Sequence, residues 1–252
     1  MRLLTTLLFL PLAASAALTD EIQVYTDELT ARGETGLEVH INTTPSGRGT
    51  PDYPGEAPPS HGLRITPEFA FALGGNWDWG FYLPTSRDAS GNWSLAGAKL
   101  RLKWLPLRHE GSETGWFAGI NGELSRVASR FSESRSSFEM RNILGYRGKE
   151  WLFAANPVLA WQLSDGLSQR TPDFSLQLKL NRELTERWSA GLESYSELGP
   201  LNAFLPGKQQ SHTLFAVVEY GGKPMGVHFG IGRGLSSPAD KWTLKSILDF
   251  SF

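Results

Sequence analysis

The sequence predicts an all-β chain: a single antiparallel up-and-down β-barrel of about twelve strands that crosses a membrane, preceded by a cleaved signal peptide. Three observations predict it. Apolar residues recur with a period of two from Thr35 to Phe252, the connections sort into long and short on alternate sides, and tryptophans gather at strand ends. Composition agrees, since 40% hydrophobic and 20% charged residues are too apolar a mixture for a disordered chain. With 24 Lys+Arg against 26 Asp+Glu, the net charge of −2 lacks the basic excess of a nucleic-acid binder, and no nucleic-acid partner is expected. Cys is 0, which removes disulfides, thiolate zinc sites and cysteine nucleophiles. Beyond the N-terminus no stretch approaches the roughly 18 apolar residues of a transmembrane helix.

The first element is a targeting signal. Met1-Arg2 supplies the positive start, Leu3–Leu12 the apolar run, and Ala14-Ser15-Ala16 the small-residue cleavage site. Residues 1–16 therefore read as a signal peptide, with the mature chain starting near Ala17. Residues 17–34 read as a periplasmic N-terminal segment and 35–252 as the barrel. No Cys follows the cleavage region, so no lipid anchor is expected.

The strands follow in order, each with one apolar and one polar or small face. Thr35–Thr44 sets Leu37, Val39 and Ile41 against Glu38, His40 and Asn42. Leu63–Leu73 sets Ile65, Phe69 and Phe71 against Arg64, Thr66 and Glu68. Trp77–Leu83 opposes Trp79 and Phe81 to Asp78 and Tyr82, and Trp93–Trp104 opposes Leu100 and Leu102 to Lys99, Arg101 and Lys103. Gly115–Ser125, Ser137–Tyr146 and Glu150–Gln162 continue the pattern, blurred only at Asn142-Ile143. Asp173–Asn181 places Leu176, Leu178 and Leu180 opposite Gln177 and Lys179, and Trp188–Leu198 places Leu192 opposite Glu193. His212–Tyr220 is apolar on both faces. Met225–Arg233 sets Phe229 and Ile231 against His228 and glycines, and Lys241–Phe252 sets Trp242, Leu244, Leu248 and Phe250 against Lys245 and Asp249.

Connections discriminate a membrane barrel from a soluble sandwich. Pro45–Gly62, Pro84–Asn92, Arg126–Ser136, Ser164–Pro172 and Gly199–Ser211 are long, whereas Gly74–Asn76, Arg147–Lys149, Arg182–Arg187 and Gly221–Pro224 are short; Leu105–Thr114 fits poorly. Long loops outside and tight turns in the periplasm are the pattern of a bacterial outer-membrane barrel, and a sandwich has no reason to sort them. Trp77, Trp104, Trp116, Trp151 and Trp188 fall beside the short turns, and Trp93, Trp161 and Trp242 beside the long loops, all on the apolar face. Two such rings are interfacial girdles. The expected location is the outer membrane of a Gram-negative bacterium.

The terminal strand Trp242–Phe252 resembles the assembly signal of Gram-negative outer-membrane barrels, carried by Trp242, Phe250 and Phe252. That resemblance implies lipid and lipopolysaccharide as surroundings, and periplasmic chaperones and the barrel assembly machinery as partners. Glu21-Ile-Gln-Val-Tyr25, Leu37-Glu-Val-His40 and Gly80-Phe-Tyr-Leu-Pro84 are similar to segments of barrels grouped as putative transporters of the phenol-degradation MetA-pathway type. This second resemblance implies passage of small aromatic compounds and carries no catalytic residues.

A lumen of about twelve strands is narrow or partly plugged. His40, Arg64, Glu68, Lys99, Arg101, Glu193, His228 and Lys245 are the candidate lining and selectivity residues, acting as a constriction of fixed charge or as ion pairs filling the interior. Lys99, Lys179 and Glu193, being lumenal, are expected to tolerate substitution better than the lipid face. Inward Leu152, Val158, Phe215 and Val217 suit an amphipathic or aromatic solute, or packing. His40 and His228 flank the last strand and could share a site, but Lys245 between them argues against a metal, and no metal or cofactor is assigned. Gly230-Ile-Gly-Arg-Gly234 lacks the helix a phosphate loop requires and reads as a thin or bent wall. The functional expectation is a passive narrow channel for small solutes. One alternative is a structural or binding barrel, whose loop Pro45–Gly62 either covers the pore or binds something outside. The other is a lipid hydrolase using Ser196 and His212, for which no third group to orient the imidazole is evident, so no catalytic residue is assigned.

Overall fold

The computed structural model describes residues 20–108, 114–168 and 170–252. The signal-peptide assignment to 1–16 lies outside them, as do residues 109–113 of the 105–114 connection. The strands are β1 (Thr35–Ser46), β2 (Leu63–Gly74), β3 (Trp77–Tyr82), β4 (Thr85–Arg87), β5 (Trp93–Leu95), β6 (Gly97–Leu107) and β7 (Gly115–Val127). They continue as β8 (Ser136–Arg147), β9 (Trp151–Gln162), β10 (Asp173–Glu183), β11 (Trp188–Pro200), β12 (Ser211–Tyr220), β13 (Met225–Gly234) and β14 (Trp242–Ser251). All pair antiparallel in one sheet, and β1 pairs with both β2 and β14, which closes it.

Fourteen strands make twelve staves. β3 and β4 both pair with β2 and are separated by Leu83-Pro84, where proline cannot donate to the ladder. β5 and β6 pair with β4 and β3 in turn and are separated by Ala96, whose N–H bonds Pro84 O at 2.7 Å. The expected Pro84–Asn92 loop is therefore partly wall, since 85–87 form β4 and only 88–92 turn. Among the described residues no helix is long and apolar enough to cross a membrane.

The register puts the two faces where the alternation assigns them. Leu100, Leu102, Leu124, Leu144, Leu180 and Ile231 are exposed on the outside, while His40, Arg101, Asn121, Lys179 and Lys245 are buried inside. An exposed band of this composition is stable only against lipid. At the short-turn rim Trp77 stacks on Trp104 at 5.2 Å, Trp116 meets Tyr146 edge-on at 5.2 Å, and Trp188 lies 4.9 Å from Tyr220. These pairs belong to neighbouring strands, so the girdle is a set of cross-strand contacts as well as an interfacial ring.

Two features depart from the sequence reading. The glycines of β13 do not thin the wall; they admit their neighbours' side chains. A Cβ on Gly232 would stand 2.5 Å from the Phe215 ring, and one on Gly230 would stand 2.9 Å from Lys245 Cε. Further, residues from Asp20 onward are not a free periplasmic segment. Glu21, Ile22, Val24, Tyr25, Thr26 and Asp27 are all buried, inside the barrel. The reason is apolar: a wide lumen leaves inward hydrophobic side chains without cover, and this segment supplies it.

Candidate functional site

The lumen is occupied by residues 20–34, which enter beside β1 at the short-turn end and run toward the long loops. This stretch belongs to no strand, and side chains of the wall meet several of its backbone groups. Asn156 Oδ1 accepts from Tyr25 N at 2.6 Å, and Asn156 Nδ2 donates to Tyr25 O at 3.1 Å. Arg141 donates to Gln23 O at 2.9 Å, Lys245 to Ile22 O at 3.0 Å and Asn42 to Asp20 O at 3.0 Å. Side chains of the segment are held as well. Arg147 grips Asp27 at 2.5 and 2.9 Å, Lys99 reaches Asp20 at 3.0 Å, and Asp78 accepts from Thr30 N at 3.2 Å.

Apolar packing completes the seat. Val24 and Tyr25 lie against Leu105, Phe117, Ile143 and Ala154, with Leu29 and Leu152 beside them. Ile22 packs on Phe215 and Val217. Arg141 stacks over the Tyr25 ring at 4.5 Å, and the Tyr25 hydroxyl lies 2.8 Å from that of Tyr82. Inward Leu152 on β9 and Phe215 and Val217 on β12 therefore pack against the chain's own N-terminal segment. Ile143, where the strand alternation blurs, is one of them.

All eight sequence candidates point inward, but they do not form one open ring. Glu68 takes Arg101 on Oε1 at 2.5 Å and His40 on Oε2 at 3.3 Å, and Arg101 also pairs with Asp78. Glu193 receives Lys245, Lys179 at 3.4 Å, His228 at 3.4 Å and the Tyr195 hydroxyl at 2.6 Å. Lys99 bridges Asp20 and Glu123, at 3.0 and 3.1 Å, and Arg64 stacks over Phe131 at 4.5 Å. His40 and His228 thus sit in separate clusters, which corrects the shared site. Lys179 and Glu193 are buried ion-pair members, so the expectation that they tolerate replacement does not hold: removing one partner strands a buried charge. The residues that sequence reasoning left unassigned are those of the seat, namely Asp20, Gln23, Tyr25 and Asp27 with Asp78 and Asn156. Ile22 and Val24 alternate with polar residues like a strand, and a turn at Arg32-Gly33 joins the segment to β1; that alternation was the available signal.

Between the segment and the wall, at the short-turn end, is a cavity of 560 Å³ lined by Gln23, Glu28, Glu38, Lys103, Lys179, Glu219, His228 and Asp249 among others. At the opposite mouth the connection after β1 is ordered by Arg48, which pairs with Glu56 at 2.8 Å. That connection leans on two others: Arg48 N bonds Asp240 at 2.9 Å and Ala57 N bonds Arg130 O at 2.8 Å. On the outer face His212 Nδ1 and Ser196 Oγ lie 3.0 Å apart, and the His212 backbone N–H donates to Ser236.

A closed twelve-stave barrel with an aromatic girdle, an exposed apolar band and a polar lumen is the architecture of outer-membrane β-barrels. No family model and no curated protein sequence matches the chain. Among solved structures it is similar to the COG4313 outer membrane channel from Pseudomonas putida F1, with TM-score 0.64 and 12% identity, over 92% of this chain and 100% of that one. It is similar to the KdgM porin, solved in complex with disordered oligogalacturonate, with TM-score 0.55 and 8% identity over 86% and 99% of the two chains. The NanC porin gives TM-score 0.53 and 10% identity over 86% and 98%. The Gram-negative outer-membrane barrel resemblance read from the terminal strand holds at the level of the fold.

Proposed function

We propose that this chain is a passive outer-membrane channel for small solutes that residues 20–30 close and whose opening requires them to leave their seat. The observation that carries this reading is the segment's attachment: side-chain hydrogen bonds and a modest apolar contact hold it, with no strand pairing. Such an attachment is separable from the wall, whose ladders do not include it. Withdrawal uncovers Leu105, Phe117, Ile143, Phe215 and Val217 beside the charged groups. A lumen with both kinds of surface suits an amphipathic or aromatic solute. His40, Arg64, Glu68, Lys99, Arg101, Glu193, His228 and Lys245 then line the path, with Lys99 and Lys245 released from the segment. Lipid and lipopolysaccharide surround the wall, and Trp242, Phe250 and the exposed Phe252 address the assembly machinery, so deleting Phe252 lowers the folded, inserted fraction.

The test compares planar-bilayer conductance and solute flux of the mature protein with a form lacking residues 17–30, each checked for folding by heat-dependent gel mobility. Higher conductance and flux in the shortened form support the reading. A folded shortened barrel that conducts no more than the parent overturns it. A second reading rests on the Ser196–His212 contact. Loss of phospholipid hydrolysis in Ser196→Ala would support it. Against it, the one described hydrogen bond of the His212 imidazole is to the Ser196 hydroxyl, and among the described residues no acid or amide is shown orienting the ring.

A further inference from the structure

We propose that Glu38, His40 and Glu68 form a binding site for a divalent cation of the Zn²⁺ class on the inner wall where β1 meets β2. His40 Nε2 lies 3.3 Å from Glu68 Oε2 and 3.6 Å from Glu38 Oε2, and the three ligand atoms are all within 4.8 Å of one another. Bonds of about 2.0–2.2 Å to a tetrahedral ion set neighbouring ligand atoms about 3.3–3.6 Å apart. The two separations from His40 Nε2 match that spacing. One imidazole with two carboxylates suits Zn²⁺ and its first-row neighbours, whereas Ca²⁺ and Mg²⁺ prefer shells built wholly of oxygen.

Register explains the cluster, and charge explains why it favours a cation. Glu38 stands opposite Glu68 on β2 and opposite Asp249 on β14, so three carboxylates lie in one row across adjacent strands. Like charges directly opposite repel. The nearest cations serve other groups: Arg101 holds the far oxygen of Glu68 and also Asp78, and Lys103 lies 3.7 Å from Asp78. Among the described residues neither Glu38 nor Asp249 forms an ion pair with a lysine or arginine. The other histidine cluster differs, because Lys179 and Lys245 already neutralise Glu193 and Glu219. The His40 ring is fully buried, and its Nε2 is the nitrogen that faces both carboxylates. Entry is open, since the Glu38 side chain is 31% exposed and borders the 560 Å³ cavity.

The site touches the lumenal segment. Gln23 Nε2 donates to Glu38 Oε2 at 3.1 Å, the same oxygen that faces His40. An ion there competes with that hydrogen bond, so occupancy alters one of the segment's attachments.

The experiment titrates chelator-stripped, folded mature protein with Co²⁺, followed by its visible ligand-field absorption, and with Zn²⁺ by calorimetry. Saturation at one ion per barrel is expected. His40→Ala should weaken binding by at least about tenfold, since even outer-shell losses cost that much, and His228→Ala should leave it unchanged. Glu38→Gln, at the most exposed ligand, should weaken binding similarly and carries the test if His40→Ala does not fold. No saturable binding, binding that survives His40→Ala and Glu38→Gln, or binding that is lost in His228→Ala overturns the assignment.

Discussion

Asn156 is the residue at which the seat of the lumenal segment can be weakened most cleanly. It stands on β9, faces the lumen, and satisfies both backbone groups of Tyr25, a role a neighbouring strand would otherwise fill. Asn156→Ala removes two buried hydrogen bonds, worth about 1 kcal/mol each when water takes their place. If the Tyr25 groups stay dry, the desolvation cost raises the loss to about 4 kcal/mol for the pair. At 1.4 kcal/mol per factor of ten, the ratio of displaced to seated segment rises by about 30-fold to about 700-fold. The wall is unaffected, because the backbone of Asn156 keeps its register opposite Gln177. Single-channel recording in planar bilayers reads the effect as more time in the open level, with the open conductance itself unchanged. Wild-type open probability in a folded Asn156→Ala protein would refute the idea that these bonds hold the channel shut. So would a loss of barrel stability of the same size without any opening.

Three further outcomes follow from the same geometry. Lys245→Met leaves the fully buried Glu193 short of its closest cation and should cost about 3–5 kcal/mol of barrel stability, read by urea unfolding in detergent; adding Glu193→Gln should recover part of it. Leu178→Arg places a guanidinium on the lipid face and should cost about 2–4 kcal/mol if Leu178 lies near the midplane, and folding indistinguishable from the parent would mean the faces are exchanged. In the connection after β9, Asp165 titrates below the ordinary aspartate range because Arg135 and Ser164 hydrogen-bond its charged form. A lowered value means that the contact is at full strength above the ordinary range and is lost only as pH falls through the depressed value. At pH about 3.9, the usual aspartate midpoint, carboxyl NMR should find Asp165 still ionised and the 128–135 and 163–172 connections still paired; half-protonation there would refute the pairing.

The wall was legible in the sequence because its physics is local. Leu100, Arg101, Leu102 and Lys103 alternate, and lipid on one side and polar lumen on the other enforce the alternation. Trp77 and Trp104 carry the same kind of information, since an interface selects them by height alone. The contents of the lumen were less legible. Arg141 bonds Gln23 across 118 positions of sequence, and no periodicity links a lone extended segment to a cavity. The interior charges were assigned to the correct face, but their partners depended on which strands lie side by side. The Glu38–Glu68 and Glu38–Asp249 oppositions exist only once β1 is paired on both edges.

One inference about the lumen was nevertheless available from geometry. In a barrel of eight strands, inward side chains reach across and fill the interior; at twelve, the bore is too wide for them to meet. Inward Phe117, Ile143, Phe215 and Val217 therefore could not have buried one another across the bore, and as apolar groups facing water they would stand at a cost of about 25 cal/mol for each Å² left wet. Something apolar had to cover them. A solute is an intermittent cover, whereas Ile22, Val24 and Tyr25 are present in every copy of the chain at the end of the first strand. A tethered segment docks without the loss of translational freedom that a free solute incurs on binding. The same residues can hold both because the segment is attached weakly enough to yield: its contacts with Leu105, Phe117 and Ile143 are those that an amphipathic solute of similar width would have to replace.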